Sequence, residues 1–366
     1  MSGAPSDDKA ARRLATRAGA GTLGRVAAAG DARTRAELVK RHARSVGFDL
    51  VGIAGTSVPE GYARYLRAMQ AGYGASMEWL TEDPGIREDV RNVWAEARSV
   101  VVVALSYASD VPGYLVQPPA PDEGWIARYA QGRDYHDVMK KMLLALSRRL
   151  AADAALGSIP SPQHRLFADT GPVLEKAFAQ AAGIGWIGKN TLVIHPGRES
   201  DASLARPAAS RGSWYFLGTM LTPLELEADA PATDHCGSCT RCLDVCPTGA
   251  FPEPYVLDAR KCIATWTIET PEPETVIAPA DLGQHIFGCD LCQEVCPWNR
   301  KITPTRHVSL RPRPENVKVK LAELLGLDEE AFRARFPNSA VKRVTARQMR
   351  QVITAIQRRD GPGSDG

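Results

Sequence analysis

All eight cysteines of this 366-residue chain lie between Cys236 and Cys296. No other feature limits its fold and chemistry as much. A disulfide framework is spread through a small secreted domain, whereas cysteines confined to one part of a long chain point to metal. The same reasoning places the protein in a reducing compartment, and a cytoplasmic monomer is expected. The most apolar stretch, Ser99 to Ala108, is far shorter than the roughly 18 to 20 residues that cross a bilayer, so no membrane anchor is expected. Arg12 and Arg13 form a twin arginine, but Arg17 interrupts it before any apolar export region begins. Residues 1–33, rich in Ala, Gly and Arg, therefore read as a disordered tail.

Cysteine spacing decides which metal. Cys236, Cys239, Cys242 and Cys246 follow C-x2-C-x2-C-x3-C with Pro247 next, the pattern of bacterial ferredoxins. Three thiolates at this pitch wrap one 4Fe-4S cluster from a single loop, and the fourth is directed to a neighbouring cluster. The second run, Cys289, Cys292 and Cys296 before Pro297, is one cysteine short, and Cys262 supplies it from a distance. Crossed ligation then assigns Cys236, Cys239, Cys242 and Cys296 to one cluster, and Cys246, Cys262, Cys289 and Cys292 to the other. Structural zinc would separate two C-x2-C pairs by a longer loop. Residues 225–305, entered through the acidic, Pro-rich stretch Glu225 to Thr233, read as a ferredoxin-like domain with two 4Fe-4S clusters.

Two clusters preceded by a long folded segment imply something upstream that receives electrons. Hydrophobic periodicity predicts helices from Thr34, over Tyr62–Gly72, Asp134–Ala152 and Pro172–Ala182, and strands at Val100–Leu105, His164–Ala168, Thr191–Ile194 and Trp214–Thr219. The fold class is thus α+β, with an N-terminal α/β domain over 34–224, the ferredoxin-like domain, and a basic helical region over 306–366. From Lys301 onward there are fourteen Lys/Arg against seven Asp/Glu, in a chain whose net charge is only +3. Such a surplus suits either phosphate contact or a solvated helical surface. No G-x-G-x-x-G follows a strand and no Walker loop is present. Gly183, Gly185 and Gly188 have the glycine spacing but follow a helix and lead into a strand, so they are expected to let the backbone approach a large planar ligand.

Taken together, Asp169-Thr-Gly-Pro-Val-Leu-Glu175, the glycine run through Asn190 and Thr191, Gly212-Ser213-Trp214, the first cysteine run and Phe287 through Asn299 resemble the epoxyqueuosine reductase family. The likeness covers roughly residues 34–345. It implies a cobalamin in the 34–224 domain, reduced by the nearer cluster, with an external electron donor behind it. The implied substrate is tRNA carrying epoxyqueuosine at the wobble position, and the product is queuosine. It assigns Asp169 as proton donor and makes Arg87, Tyr135, Asp169, Thr191 and Ser213 cofactor contacts, with His136 and Lys189 close by. The chemistry is sound on its own terms: reductive opening of an epoxide leaves an alkoxide, which a carboxylic acid kept protonated by desolvation can quench. An Asp between a strand and a helix is equally a good N-cap. The family pattern is departed from at Ala264, by an apparent insertion over Arg198–Arg211, and in the loosely matching segment Phe336 to Arg350. Two other functions fit the residues: a reductive dehalogenase-like cobalamin enzyme, and an electron-transfer protein without its own substrate.

Overall fold

The computed structural model describes residues 31–156, 163–198, 209–271 and 282–359. Of the tail expected over 1–33, residues 1–30 lie outside them, as does the centre of the expected insertion, 199–208; Asp31, Ala32 and Arg33 instead cap and begin the first helix. The first described element is the helix Ala32–Val46, where the Asp31 side chain accepts from Thr34 N–H at 2.7 Å and Gly47 closes the last turn in a left-handed conformation. A strand β1 (Leu50–Ala54) follows, then the helix Pro59–Gln70.

The main sheet has the order β1, β2 (Ser99–Ser106), β7 (Tyr215–Thr222), β4 (Arg165–Phe167). All eight residues of β2 are buried, as its β-branched run requires of a central strand. Its two faces separate with period two. Val101, Val103 and Leu105 meet Val39, Met139, Leu143 and Leu150 from the helices Ala32–Val46 and Tyr135–Ala152. Val100, Val102 and Ala104 meet Phe178, Ala179 and Ala182 on the other side. Each fully buried Val or Leu contributes roughly 1.5–3 kcal/mol relative to exposure, so this two-sided packing makes the sheet the rigid base of the molecule. Every pairing in the sheet is antiparallel, which corrects the α/β expectation for 34–224. The strands are joined without the repeated right-handed crossovers that generate parallel neighbours.

A second sheet was not foreseen. Strand β3 (Glu123–Ile126) lies between β8 (His285–Phe287), parallel to it, and β9 (Lys318–Lys320), antiparallel. It takes one strand from each of the three segments read from the sequence. Ile126, Ile286, Phe287 and Val319 share a core with Phe332, Phe336, Val341, Met349 and Ile353. The C-terminal region is therefore a packed part of the body rather than a solvated surface. Much of its basic charge is neutralised locally, with Arg306 on Asp49, Arg333 on Glu329, Arg335 on Glu323 and Arg343 on Glu269. Among the described residues no helix is long and apolar enough to cross a membrane.

Candidate active site

The cysteines gather in two sets. Cys236, Cys239, Cys242 and Cys296 line one recess together with Lys189 and Trp298. Burial, followed by the charges of Cys296, Cys236 and Cys239, pushes the Cys242 thiol up to about 11. In the second set, Cys289 is raised by burial and then by its neighbours, Cys262 and Cys246 among them. Cys292 is raised by burial and by Cys289 and Cys262. Buried thiols crowded in this way resist ionisation until a metal takes the charge, which is the chemistry a cluster requires.

The glycine run holds these loops in place. Lys189 Nζ donates to the carbonyls of Gly237 and Cys239 at 2.7 and 3.0 Å, Asn190 Nδ2 donates to Cys292 O at 3.3 Å, and Trp186 Nε1 donates to Cys236 Sγ at 3.4 Å. The glycines themselves face protein. A Cβ at Gly185 would stand 2.3 Å from Ile194 O, one at Gly188 2.5 Å from Ile194 Cδ1, and one at Gly183 2.8 Å from Ala230 O. The expected approach to a planar ligand is thus replaced by close packing of the short hairpin of β5 (Trp186–Ile187) and β6 (Val193–Ile194).

Asp169 lies two residues beyond β4, with φ +65°. A left-handed conformation costs a non-glycine residue roughly 1–2 kcal/mol, and it turns this carboxylate into a cavity of about 800 Å³. That volume is in the range of small-molecule and cofactor sites. Tyr129, Tyr135, Leu143, Leu166 and Phe167 give the cavity an apolar wall, while His136, Lys140, Glu269, Lys342 and Arg343 are polar members of its lining. Asp169 does not cap the following helix, whose N-cap is Leu174 with no side-chain bond. Its Oδ2 instead accepts from Tyr135 O–H at 2.7 Å, and His136 Nε2 stands 3.6 Å away. Tyr135 is itself clamped between rings, stacked on Phe216 at 4.2 Å and His136 at 4.0 Å. The other ring nitrogen of His136 bonds Asp134 Oδ1 at 2.8 Å, and Asp134 also caps the helix Tyr135–Ala152.

These contacts reverse the protonation expected for Asp169. The neighbouring His136, an ion-pair partner at 3.6 Å, outweighs desolvation and, with Tyr135 O–H and Arg343 assisting, holds its carboxyl below the usual carboxylate range. The group is open to the cavity, with 64% of the side chain accessible. Burial opposes charge on His136, but Asp134 and Asp169 overcome it and raise the imidazole to about 9. Burial and the charge of Asp169 raise Glu175, whose side chain accepts the Asp169 backbone N–H, to about 8. At neutral pH the mobile protons therefore sit on His136 and Glu175, and Asp169 is the anion between them.

The other expected contacts lie elsewhere. Arg87 is buried and donates to Trp79 O at 2.8 Å and Asp83 O at 3.4 Å. Thr191 occupies the turn between β5 and β6 with φ +63°. Ser213 ties β7 to the second cysteine run: its Oγ donates to Gln293 Oε1 at 2.9 Å and accepts from Asn299 Nδ2 at 3.0 Å. None of the three lines the Asp169 cavity. Lys176, exposed on the helix Glu175–Ala181, is within electrostatic reach of Asp169 and Glu175 on one hand and Cys262 and Cys292 on the other. Sequence reasoning missed the Arg343–Glu269 pair, Nε to Oε1 at 2.9 Å and Nη2 to Oε2 at 2.6 Å. Its partners lie 74 residues apart, with no local signal linking them.

With this geometry in hand, two family models match the chain: "4Fe-4S double cluster binding domain" over residues 235–299 and "Epoxyqueuosine reductase QueG, DUF1730" over residues 87–170. The epoxyqueuosine reductase of Gloeobacter violaceus is 42% identical over 321 residues, covering 86% of this chain and 92% of that protein. That of a Synechocystis species is 39% identical over 282 residues, covering 76% and 89%. A solved epoxyqueuosine reductase with a tRNA-Tyr epoxyqueuosine-modified stem loop is similar with a TM-score of 0.72 at 29% identity, over 87% of this chain and 80% of that one.

Proposed function

The chain belongs to the epoxyqueuosine reductase family, and from that membership we infer that it reduces epoxyqueuosine to queuosine in tRNA, with Asp169 as the group that hands a proton to the departing oxygen. Deoxygenation of an epoxide to an alkene consumes two electrons and two protons and releases water. The observation that carries the reading is the Asp169 carboxylate, turned into a large cavity and held by Tyr135 and His136. Asp169 is the anion beside a protonated His136, so the proton handed to the departing oxygen is held by the pair rather than by Asp169 alone. Tyr135 keeps its own proton, because burial and the charge of Asp169 disfavour the phenolate.

Two 4Fe-4S clusters would occupy the two cysteine sets, with Cys246, Cys262, Cys289 and Cys292 as the inner set. Cobalamin would be held against the Asp169 cavity, whose aromatic and apolar lining suits the face of a corrin. When bound, the clusters supply single electrons and cobalamin a low-potential cobalt centre. An external donor would deliver electrons to the outer set, and the tRNA would approach across Lys140 and Lys342. The test is conversion of an epoxyqueuosine stem loop by anaerobically reconstituted protein carrying about eight iron and about one cobalt per chain. Fully loaded protein that leaves the epoxide intact would refute the assignment.

A further inference from the structure

The Asp169 carboxylate is held by two residues of the cavity wall, but its backbone is held by a third that lies outside it. Glu175 begins the helix Glu175–Ala181, and both its carboxyl oxygens accept from Asp169 N–H, Oε2 at 3.1 Å and Oε1 at 3.3 Å. Glu175 is not among the residues lining the cavity. The intervening loop is tight. Thr170 N–H donates to Ala168 O at 2.8 Å, Glu175 N–H donates to Val173 O at 2.9 Å, and a Cβ at Gly171 would stand 2.2 Å from the Phe167 ring. A left-handed non-glycine residue persists only where its surroundings over-determine it. Here that determination includes a side chain six residues ahead which returns to the amide of Asp169 itself.

We propose that Glu175 is a positioning residue for the reduction: by accepting the Asp169 amide it fixes the left-handed backbone at that residue and so aims the Asp169 carboxylate into the cavity. This rests on the reading of Asp169 as proton carrier. The charged and titratable groups facing Glu175 are Asp169, Tyr135, His136 and Lys176. Burial first, then the Asp169 charge, keeps Glu175 largely neutral near pH 7, so its carbonyl oxygen serves the amide without placing a second anion behind Asp169. A glutamine reproduces that neutral acceptor. An alanine removes it, and an aspartate is one methylene too short to reach.

The experiment compares Glu175→Gln, Glu175→Ala and Glu175→Asp in the full, reconstituted holoenzyme. Hydrogen exchange across residues 167–175, kcat and KM for the stem loop, and iron and cobalt content are measured together. Glu175→Ala should accelerate exchange at the Asp169 amide and lower kcat by about tenfold to a hundredfold, with KM and cofactor content unchanged, because a small misaiming of a catalytic group acts on the chemical step. Glu175→Gln should restore both the protection and kcat. If Glu175→Ala does not fold, Glu175→Asp gives the same contrast with glutamine. The proposal is overturned if the alanine or aspartate variant keeps wild-type exchange and kcat, or if glutamine is as impaired as alanine. A wild-type protein that failed to convert the stem loop would sink the functional reading instead, and amide exchange would still judge the latch.

Discussion

Asp169→Asn separates charge from shape at the position on which the mechanism depends. Asparagine is the residue best suited to replace an aspartate in a left-handed conformation, so the +65° backbone should survive. Its amide oxygen can still accept from Tyr135 O–H, the 2.7 Å contact that fixes the side chain. What disappears is the negative charge and the site through which a proton passes. Loss of a positioned acid or base lowers rates by about 10² to 10⁴, equivalent to about 2.7 to 5.4 kcal/mol of transition-state stabilisation.

A second consequence is specific to this geometry. His136 owes its elevation to about 9 to Asp134 and Asp169 together, so removing one anion should lower the imidazole and move the alkaline fall in activity to lower pH. The assay is single-turnover conversion of an epoxyqueuosine stem loop between pH 6 and 10, followed by nucleoside mass analysis, beside metal content and thermal stability. Near-normal turnover in a fully loaded variant would remove Asp169 from proton delivery. A rate loss with an unmoved alkaline limb would show that His136 does not supply the proton.

Three further outcomes are expected. Cys262→Ala should lose the inner cluster and keep the outer one, so about four iron atoms per chain remain; retention of about eight with unchanged spectra would refute the crossed ligation. The folded pKa of His136 is raised from 6.5 to about 9, so it stabilises the fold fully below pH 6.5 and loses that contribution as pH rises toward 9; His136→Gln should flatten the melting temperature across this window, and an equal slope in both proteins would contradict the ion pair. Replacing Lys140 and Lys342 with Glu should weaken tRNA binding and reduce its salt dependence by about one unit of slope per lost phosphate contact, whereas an unchanged slope would place the tRNA elsewhere.

The parts of this molecule that were legible in the sequence are those whose cause is local. Cysteine pitch is set by one loop wrapping one cluster, so a double-cluster domain could be read before any fold was known, as the family model over 235–299 bears out. The helix start at Asp134 is likewise local, since its side chain bonds a backbone amide two residues ahead, whereas the cap at Asp31 lies in a stretch whose composition reads as tail. The glycine run misled for a physical reason: a missing Cβ shows that something comes close, but not whether it is a ligand or, as at Gly185, the Ile194 carbonyl. Strands β3, β8 and β9 are three or four residues long and carry no usable periodicity, so their pairing is decided by partners far along the chain.

Charge counting in the C-terminal region gives a total but not the partners. Composition gives the surplus of Arg and Lys, but only the fold shows that Arg343 faces Glu269 and Arg306 faces Asp49. Protonation at Asp169 is the most distributed property of all. Desolvation pushes it toward the neutral acid expected from sequence, and the opposing push comes from the start of the helix Tyr135–Ala152 acting on a loop from another part of the chain. Because Asp134 anchors His136, His136 charges Asp169, and Asp169 in turn keeps Glu175 neutral, no one of the four has a protonation state of its own. The two protons that the reduction consumes are best regarded as held by this group jointly, with Asp169 as its outlet to the cavity.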